Sequence, residues 1–355
     1  MSEKSVTATK CRACASGNLS RVLSLGETPL ANSLIPSNRL QEPENRYPLE
    51  LVFCDDCSLV QITETVSPEE LFGEYVYFSS FADTTLKNAE ELVKRLVSSR
   101  KLGKDHLAME IASNDGYLLQ HYLKEGVPVL GIEPARNIAA VASERGITTC
   151  CDFFGKELAQ KLKAEGKLAD VIHGNNVLAH VADLNGVAAG IGIVLKPSGV
   201  ASIEVPYVKD MVDHVEFDTI YHEHLCYFSL TALDKLFRQH GLYITDVEHL
   251  TIHGGSLRIF ISKTDEPSAA VTSMLESEAA IGMKSVGYYA DFGARVSNLR
   301  RELRELLEKL KGEGKRVVAY GASAKGSTLL NFFEIGKESM DYVVDRSTVK
   351  QGRYT

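Results

Sequence analysis

Two Cys-x-x-Cys pairs, Cys11/Cys14 and Cys54/Cys57, stand near the start of the chain. Each pair can present two thiolates from one tight turn. Four thiolates close a tetrahedral shell that suits zinc and leaves no open position for chemistry. The metal is therefore expected to be structural, helping to fold a region too small for its own core. A zinc ribbon for nucleic acid is the competing reading, but the surrounding residues are not basic. A second group dense in acid/base side chains is Tyr221-His222-Glu223-His224. His222 and His224 could alternate faces on a strand, so a second metal site is one reading of it. The HExxH helix pattern is absent.

A third stretch reads as a ligand loop. Met109-Glu110-Ile111-Ala112-Ser113-Asn114-Asp115-Gly116 ends an apolar strand and opens a helix. It does not match GxGxxG, because Ala112 and Asn114 stand where glycines would be. Ser113 and the other small residues, with Gly116, still allow close backbone approach. Glu133 ends the next strand, where an acid can accept both hydroxyls of a ribose. Glu110 would face a positive ligand group or order the loop. Asn114 and Asp115 occupy the place a dinucleotide reader leaves for pyrophosphate, and an anionic Asp115 would repel it. The loop therefore suits a ribose-bearing ligand without phosphate, and S-adenosylmethionine fits. Asp152 and Phe153 follow a third strand, where they could take the adenine amino group and cover its ring. Asn175 and Asn176 end a fourth strand with polar groups at the same edge.

These groups need elements to position them. Around the cysteines, residues 22–25, 49–53 and 59–62 read as small hairpins. Ser67-Pro68-Glu69-Glu70 carries a helix-start pattern of cap, proline and acids. A helix is expected over 80–99. Strands at 106–111, 127–132, 148–150, 171–173 and 200–205 then alternate with helices, including 116–125 and 138–145. That alternation implies a parallel sheet covered on both faces. Strands 242–247 and 256–262 are expected to pair antiparallel at its edge. A long helix at 288–311 leads to a β-α-β unit: strand 316–320, the turn GASAKG, helix 327–333 and strand 342–344. A two-strand sheet cannot bury its faces alone. The unit is therefore expected to dock on the second domain or to belong to a chain cut short. Lys325 in its turn could hold a pyrophosphate.

The 355 residues suggest two or three domains. Apolar residues are 44% and charged residues 24%, as in globular proteins. The net charge of −8 argues against a general nucleic-acid binder. No apolar stretch is long enough to span a membrane, and the start lacks a secretory signal. Seven cysteines, an odd number, argue for a reducing cytoplasm and a metal site rather than disulfides.

Taken in order, CxxC…CxxC, EIASNDGYLL, GIEPARNIA, HGNNVLAHV, EVPYV, YHEHLCYFS, HGGSLR and YGASAKG resemble the sugar C-methyltransferases. These are class I S-adenosylmethionine enzymes acting on nucleotide-linked keto-deoxysugars. The resemblance covers nearly the whole chain. It implies an α/β architecture: a zinc-binding N-terminal domain at 1–70, a Rossmann-like methyltransferase domain at 71–265, a helical connector at 266–311, and a truncated Rossmann-like unit at 312–355. The family often has Gly where Ala112 stands. In this light Glu110, Ala112, Ser113, Asn114, Gly116, Glu133, Asp152, Phe153 and Asn175 are expected to hold S-adenosylmethionine. Methyl transfer to carbon needs a base to form an enolate, and His224 is expected to be that base. Glu223 or Tyr221 would orient it or bind the sugar. His180 is a second candidate on the substrate side, and Tyr75 would polarise the keto oxygen or position the sugar. Tyr77, His222 and Lys325 are expected to bind substrate. The partner is a nucleotide sugar, with no nucleic acid or membrane. The alternatives are an O- or N-methyltransferase, or a non-catalytic zinc-stabilised module that binds nucleotide sugar.

Overall fold

A computed structural model describes residues 5–67, 71, 80 and 83–355. In chain order the strands are β1 (Ser5–Thr7), β2 (Leu19–Thr28), β3 (Ile35–Pro36), β4 (Tyr47–Cys54), β5 (Val60–Ile62) and β6 (Glu64–Val66). There follow β7 (Ala108–Ile111), β8 (Val129–Ile132), β9 (Thr149–Cys150), β10 (Ala169–Asn175), β11 (Leu195–Pro206) and β12 (Cys226–Tyr227). The last are β13 (Tyr243–Leu250), β14 (Ser256–Ser262), β15 (Val318–Tyr320), β16 (Tyr342–Val344) and β17 (Arg353–Tyr354). Two compact units result. One is built from Met1–Leu71, Tyr207–Ser229 and Glu278–Thr355, the other from Phe72–Pro206 and Leu230–Ser277. The Tyr221–His224 segment thus groups with the cysteine region and β12 rather than with β11, β13 and the rest of the second unit.

The second unit carries a seven-stranded sheet in the order β13-β14-β11-β10-β7-β8-β9. β14 runs antiparallel to both neighbours, and the other pairings are parallel. This is the class I methyltransferase sheet. Its strand order reverses between β7 and β10, where open α/β sheets bind ligands beyond the carboxyl ends of their strands. β7 is buried throughout, as a parallel strand covered on both faces requires. Helix Asp83–Arg100 buries Ala89, Leu92, Val93 and Leu96, the i, i+3, i+4, i+7 stripe of a helix lying on a core. The two late strands do pair antiparallel, but β14 lies inside the sheet and β13 forms the edge. Leu257, Ile259 and Ile261 of β14 are fully buried.

The first unit holds an antiparallel sheet in the order β12-β5-β4-β2. β2 is longer than the expected 22–25, because its ten residues follow β4 through two shifts of register. The expected helix 288–311 is interrupted. A 3₁₀ turn, Val286–Tyr289, precedes helix Phe292–Gly312. The break lets both Tyr289 and Phe292 be fully buried, with Tyr289 5.2 Å from the Phe53 ring. β15 and β16 pair in parallel, and helix Ala324–Phe333 connects them. Pro68, Glu69 and Glu70 of the expected helix start lie outside the described residues. Among the described residues no helix is long and apolar enough to cross a membrane.

Candidate functional site

After β7 the chain enters a loop of alternating left-handed residues: Ala112 (φ 51°), Asn114 (φ 50°) and Gly116 (φ 78°). Such a conformation costs an ordinary residue about 1–2 kcal/mol, so neighbours must impose it. Ser113 N donates to Ile132 O at 3.1 Å, and Asn114 N donates to Glu133 Oε2 at 3.0 Å. The other carboxylate oxygen, Glu133 Oε1, accepts from Ala135 N at 2.9 Å. Glu133 thus ties together the loops after β7 and β8. Burial raises its pKa, and these two amides offset part of the rise. Two glycines keep the loop closed down. A Cβ on Gly131 would lie 2.5 Å from Ser113 Oγ, and one on Gly116 would lie 2.5 Å from Ile147 Cγ1.

In this loop and at the ends of β7 and β10 lie several unmatched polar atoms. Glu110 Oε2, Ser113 Oγ, Asp115 Oδ1 and Asn175 Oδ1 are buried with no hydrogen-bond partner among the described residues. Such atoms are rare and costly unless something else satisfies them. Burial pushes Glu110 well above the usual carboxylate range. A hydrogen bond with Tyr117 opposes this, and the neighbouring acids Glu133, Asp115 and Glu204 reinforce it. Tyr117 also accepts from Asn175 Nδ2 at 3.3 Å, so one hydroxyl bridges the ends of β7 and β10. A cation placed here would satisfy Glu110 and draw it into the ionised form.

Asp115 differs from the expectation of a free anion facing the ligand. Its Oδ2 pairs with Arg145 at 3.0 Å and accepts from Ser80. Only Oδ1 remains unmatched, so repulsion of phosphate is weaker than the bare sequence suggests. Asp152 Oδ1 accepts from Phe153 N at 2.8 Å, and the Phe153 ring is 64% exposed, with its face available for stacking. His180 ends a 3₁₀ turn, Leu178–His180, that follows β10. Tyr117 and Arg145 were not anticipated. Tyr117 directly follows Gly116, a signal that was available.

The histidine loop has its own geometry in the first unit. The 3₁₀ turn Phe217–Thr219 presents the Thr219 carbonyl to His224 Nδ1 at 2.9 Å. A carbonyl only accepts, so Nδ1 carries the hydrogen. The lone pair of the neutral ring therefore sits on Nε2, where the Tyr221 hydroxyl donates at 2.9 Å. The two rings lie 4.1 Å apart, tilted by 33°. Glu223 Oε1 accepts from Asn32 Nδ2 at 2.6 Å, and burial raises its pKa. His222 turns the other way. It is 1% exposed, with Nε2 donating to Pro48 O at 3.1 Å and its ring edge-on to Tyr47. Lys325 pairs with Glu216 at 3.4 Å, and Phe217 stacks on Phe333 at 4.9 Å. Tyr75 and Tyr77 lie outside the described residues.

The four cysteines of the paired motifs converge. Their sulfurs lie within 4.8 Å of one another, with Cys11–Cys57 at 3.4 Å and Cys14–Cys54 at 3.5 Å. A tetrahedral zinc–thiolate shell with bonds of about 2.3 Å would set its sulfurs roughly 3.8 Å apart. The donor set therefore fits a closed metal site. Cys11 and Cys57 share a sulfur–sulfur hydrogen bond in which either can be the donor, and burial pushes the Cys54 thiol up.

Residues 11–72 match the family described as "Putative zinc binding domain", 81–247 match "Methyltransferase domain", and 251–355 match "C-methyltransferase C-terminal domain". The chain is 35% identical to C-methyltransferase NovU of Streptomyces niveus over 347 residues, covering 97% of this chain and 83% of that protein. Among solved structures, magnesium protoporphyrin IX methyltransferase (ChlM) of Synechocystis, with bound SAH, superposes with a TM-score of 0.41 at 14% identity. That match covers 50% of this chain and 83% of the other. YcgJ of Bacillus subtilis gives a TM-score of 0.39 at 13% identity over 50% of this chain and 99% of the other.

Proposed function

Since the chain belongs to the C-methyltransferase family and is an S-adenosylmethionine-dependent methyltransferase, we propose that its acceptor is a carbon next to the ketone of a nucleotide-linked keto-deoxysugar. The observation that carries this reading is the fixed tautomer of His224. With Nδ1–H held by Thr219 O, the ring offers Nε2 as a base. An oxygen or nitrogen acceptor would need less basic power than this Tyr221–His224 pair supplies.

S-adenosylmethionine, when bound, supplies an electrophilic methyl group on a sulfonium. Glu110 and Asn175 would receive its amino-acid end, the carboxylate balancing positive charge. The backbone of Ala112, Ser113, Asn114 and Gly116 would close over it. Glu133 keeps lone pairs for a ribose beside the amides it already accepts. Asp152 and Phe153 would meet the adenine. On the acceptor side, His224 Nε2 would take the proton from the carbon next to the ketone, leaving that carbon as the enolate nucleophile that methylation requires. Tyr221 hands over its hydrogen bond as substrate enters, and its hydroxyl then faces the acceptor. Glu223, His180 and Tyr75 complete the set that positions the sugar, with Tyr77 and Lys325 contacting the nucleotide-sugar substrate. His222, buried on Pro48, fits a supporting place better than substrate contact. Zinc suits the four-thiol site, whose reduced sulfurs fit a cytoplasmic setting.

The experiment is deuterium exchange at the acceptor carbon, paired with S-adenosylhomocysteine titration. His224→Asn should abolish exchange and methyl transfer while leaving S-adenosylhomocysteine binding intact. Unchanged exchange in that variant would remove His224 from the reaction. A product methyl labile to ether or ester hydrolysis would instead establish an oxygen acceptor.

A further inference from the structure

The histidine loop is bonded to the thiol-bearing sheet on both sides of His224. On one side, Leu225 O accepts from Ile62 N at 3.0 Å, and Cys226 and Tyr227 pair with Gln61 and Val60. On the other, His222 Nε2 donates to Pro48 O on β4. β4 ends at Cys54, and the turn through Cys57 leads directly into β5. That turn is closed by Cys54 N to Leu59 O at 2.8 Å and Ser58 N to Cys54 O at 2.8 Å. The Cys11 turn joins the same strand. Arg12 N donates to Gln61 Oε1 at 2.9 Å, and Gln61 Nε2 donates back to Lys10 O at 3.3 Å. β12 is only two residues long, too short a ladder to hold a loop by itself.

We propose that His222 is a positioning residue that registers the His224 imidazole on the four-thiol sheet, so that the base is correctly set only when the thiols hold their metal. This rests on the assignment of His224 as the base. The physical reason is direct. Metal binding energy is folding energy for the turns it closes, and the turn from Cys54 to Cys57 sets where β5 begins. β5 in turn sets β12 and Leu225, the residue after His224. His222 supplies the second anchor. Its ring nitrogen is bonded to a carbonyl of β4, and its other nitrogen, Nδ1, is buried without a partner among the described residues. A side chain so enclosed is placed to hold the loop rather than to touch a substrate.

The test uses the full chain with nitrogen-15-labelled histidine, the His224 ring signals being assigned by their loss in His224→Asn. His222→Phe keeps the ring volume but removes the donor to Pro48 O. His222→Gln keeps a donor. With metal content verified as unchanged, His222→Phe should displace the His224 ring signals and lower kcat by about tenfold or more. The KM for S-adenosylmethionine should stay within about twofold. His222→Gln should return both the signals and most of the rate, and it remains decisive if the Phe variant does not fold. Chelation of the metal should displace the same signals while S-adenosylhomocysteine affinity, measured by calorimetry, holds. His224 signals unmoved in His222→Phe, or unmoved by metal removal, would overturn the proposal. Displaced signals with His224→Asn still active would leave the positioning intact and overturn the assignment of the base instead.

Discussion

Arg258 on β14 bonds Glu204 on β11 at 2.6 Å, the two being cross-strand partners with side chains 5% and 2% exposed. Arg258 also reaches Glu248 at 2.9 Å and Asn88 at 2.9 Å. Both residues come from motifs, EVPYV and HGGSLR, that had no assigned purpose in the sequence. Breaking such a pair strands a buried charge. Arg258→Met should destabilise the chain by about 3–5 kcal/mol, whereas Arg258→Met with Glu204→Met should recover much of that loss. Urea unfolding of the single and double variants measures both. Burial raises the Glu248 pKa, but its bonds to Arg95 and Arg258 outweigh that and leave it lowered. The Glu248 contribution is therefore full above the unfolded carboxylate value of about 4.3 and is lost as pH falls through the lower folded value. A single variant as stable as the parent would show that the pair is not needed.

Glu110 has the opposite sign. Its folded value lies well above the ordinary one, chiefly through burial. Its contribution is fully present below about pH 4.3 and is lost as pH rises through the folded value. Near neutrality the ligand-free chain carries an unsatisfied buried acid, a cost of about 1–3 kcal/mol. Glu110→Gln should raise the melting temperature of the ligand-free chain at neutral pH and flatten its pH dependence. It should also weaken S-adenosylhomocysteine binding by about tenfold or more, as loss of a charged contact predicts. Thermal melts from pH 4 to 8, about the span between carboxylate and neutral values, check the first claim. Calorimetry checks the second.

Ala112 pays a steric cost that glycine would not, since its φ is 51°. The left-handed penalty of about 1–2 kcal/mol is partly offset by the extra unfolded-state freedom of glycine. Ala112→Gly should therefore stabilise the chain by up to about 1 kcal/mol with little change in ligand affinity. A clear loss of stability would mean that the Ala112 methyl packs usefully.

Gly131 tests the same loop from the β8 side. A methyl there would press on Ser113, with Oγ at 2.5 Å and Cβ at 3.1 Å. Gly131→Ala should cost about 1–3 kcal/mol by overpacking. It should also weaken S-adenosylhomocysteine binding, because the loop must lift. Affinity equal to the parent would show that Ser113 yields without moving the backbone.

Local pattern carried much of the architecture. Strand 256–262 could be delimited to the residue because a glycine turn precedes it and apolar residues alternate along it. Strand 342–344 was equally plain. The break before Phe292 was not, because the charged i,i+4 spacings run smoothly past it and only the burial of Tyr289 against distant Phe53 demands it. At the ligand loop, acids at strand ends were visible in Glu110 and Glu133. The positive φ of Ala112 left no mark, since alanine seldom adopts it, whereas Asn114 is of a type that visits that region. Arg145 is 30 residues from Asp115, and Arg258 is 54 from Glu204, so neither pairing has a local signature. In the histidine loop the composition announces acid/base capacity. Which ring turns inward, His222 or His224, is decided by Pro48 and Thr219, a choice that spacing alone does not reveal.

The alternating handedness of residues 112, 114 and 116 has an evolutionary corollary. A turn defined by torsion rather than by side-chain identity sorts its replacements by backbone tolerance. At 112 and 114 glycine, asparagine and aspartate can exchange at little cost, whereas valine, isoleucine and threonine are barred by their branched Cβ; position 116 admits only glycine, because any Cβ there meets Ile147. Drift along this stretch can therefore be wide in chemical character and narrow in shape.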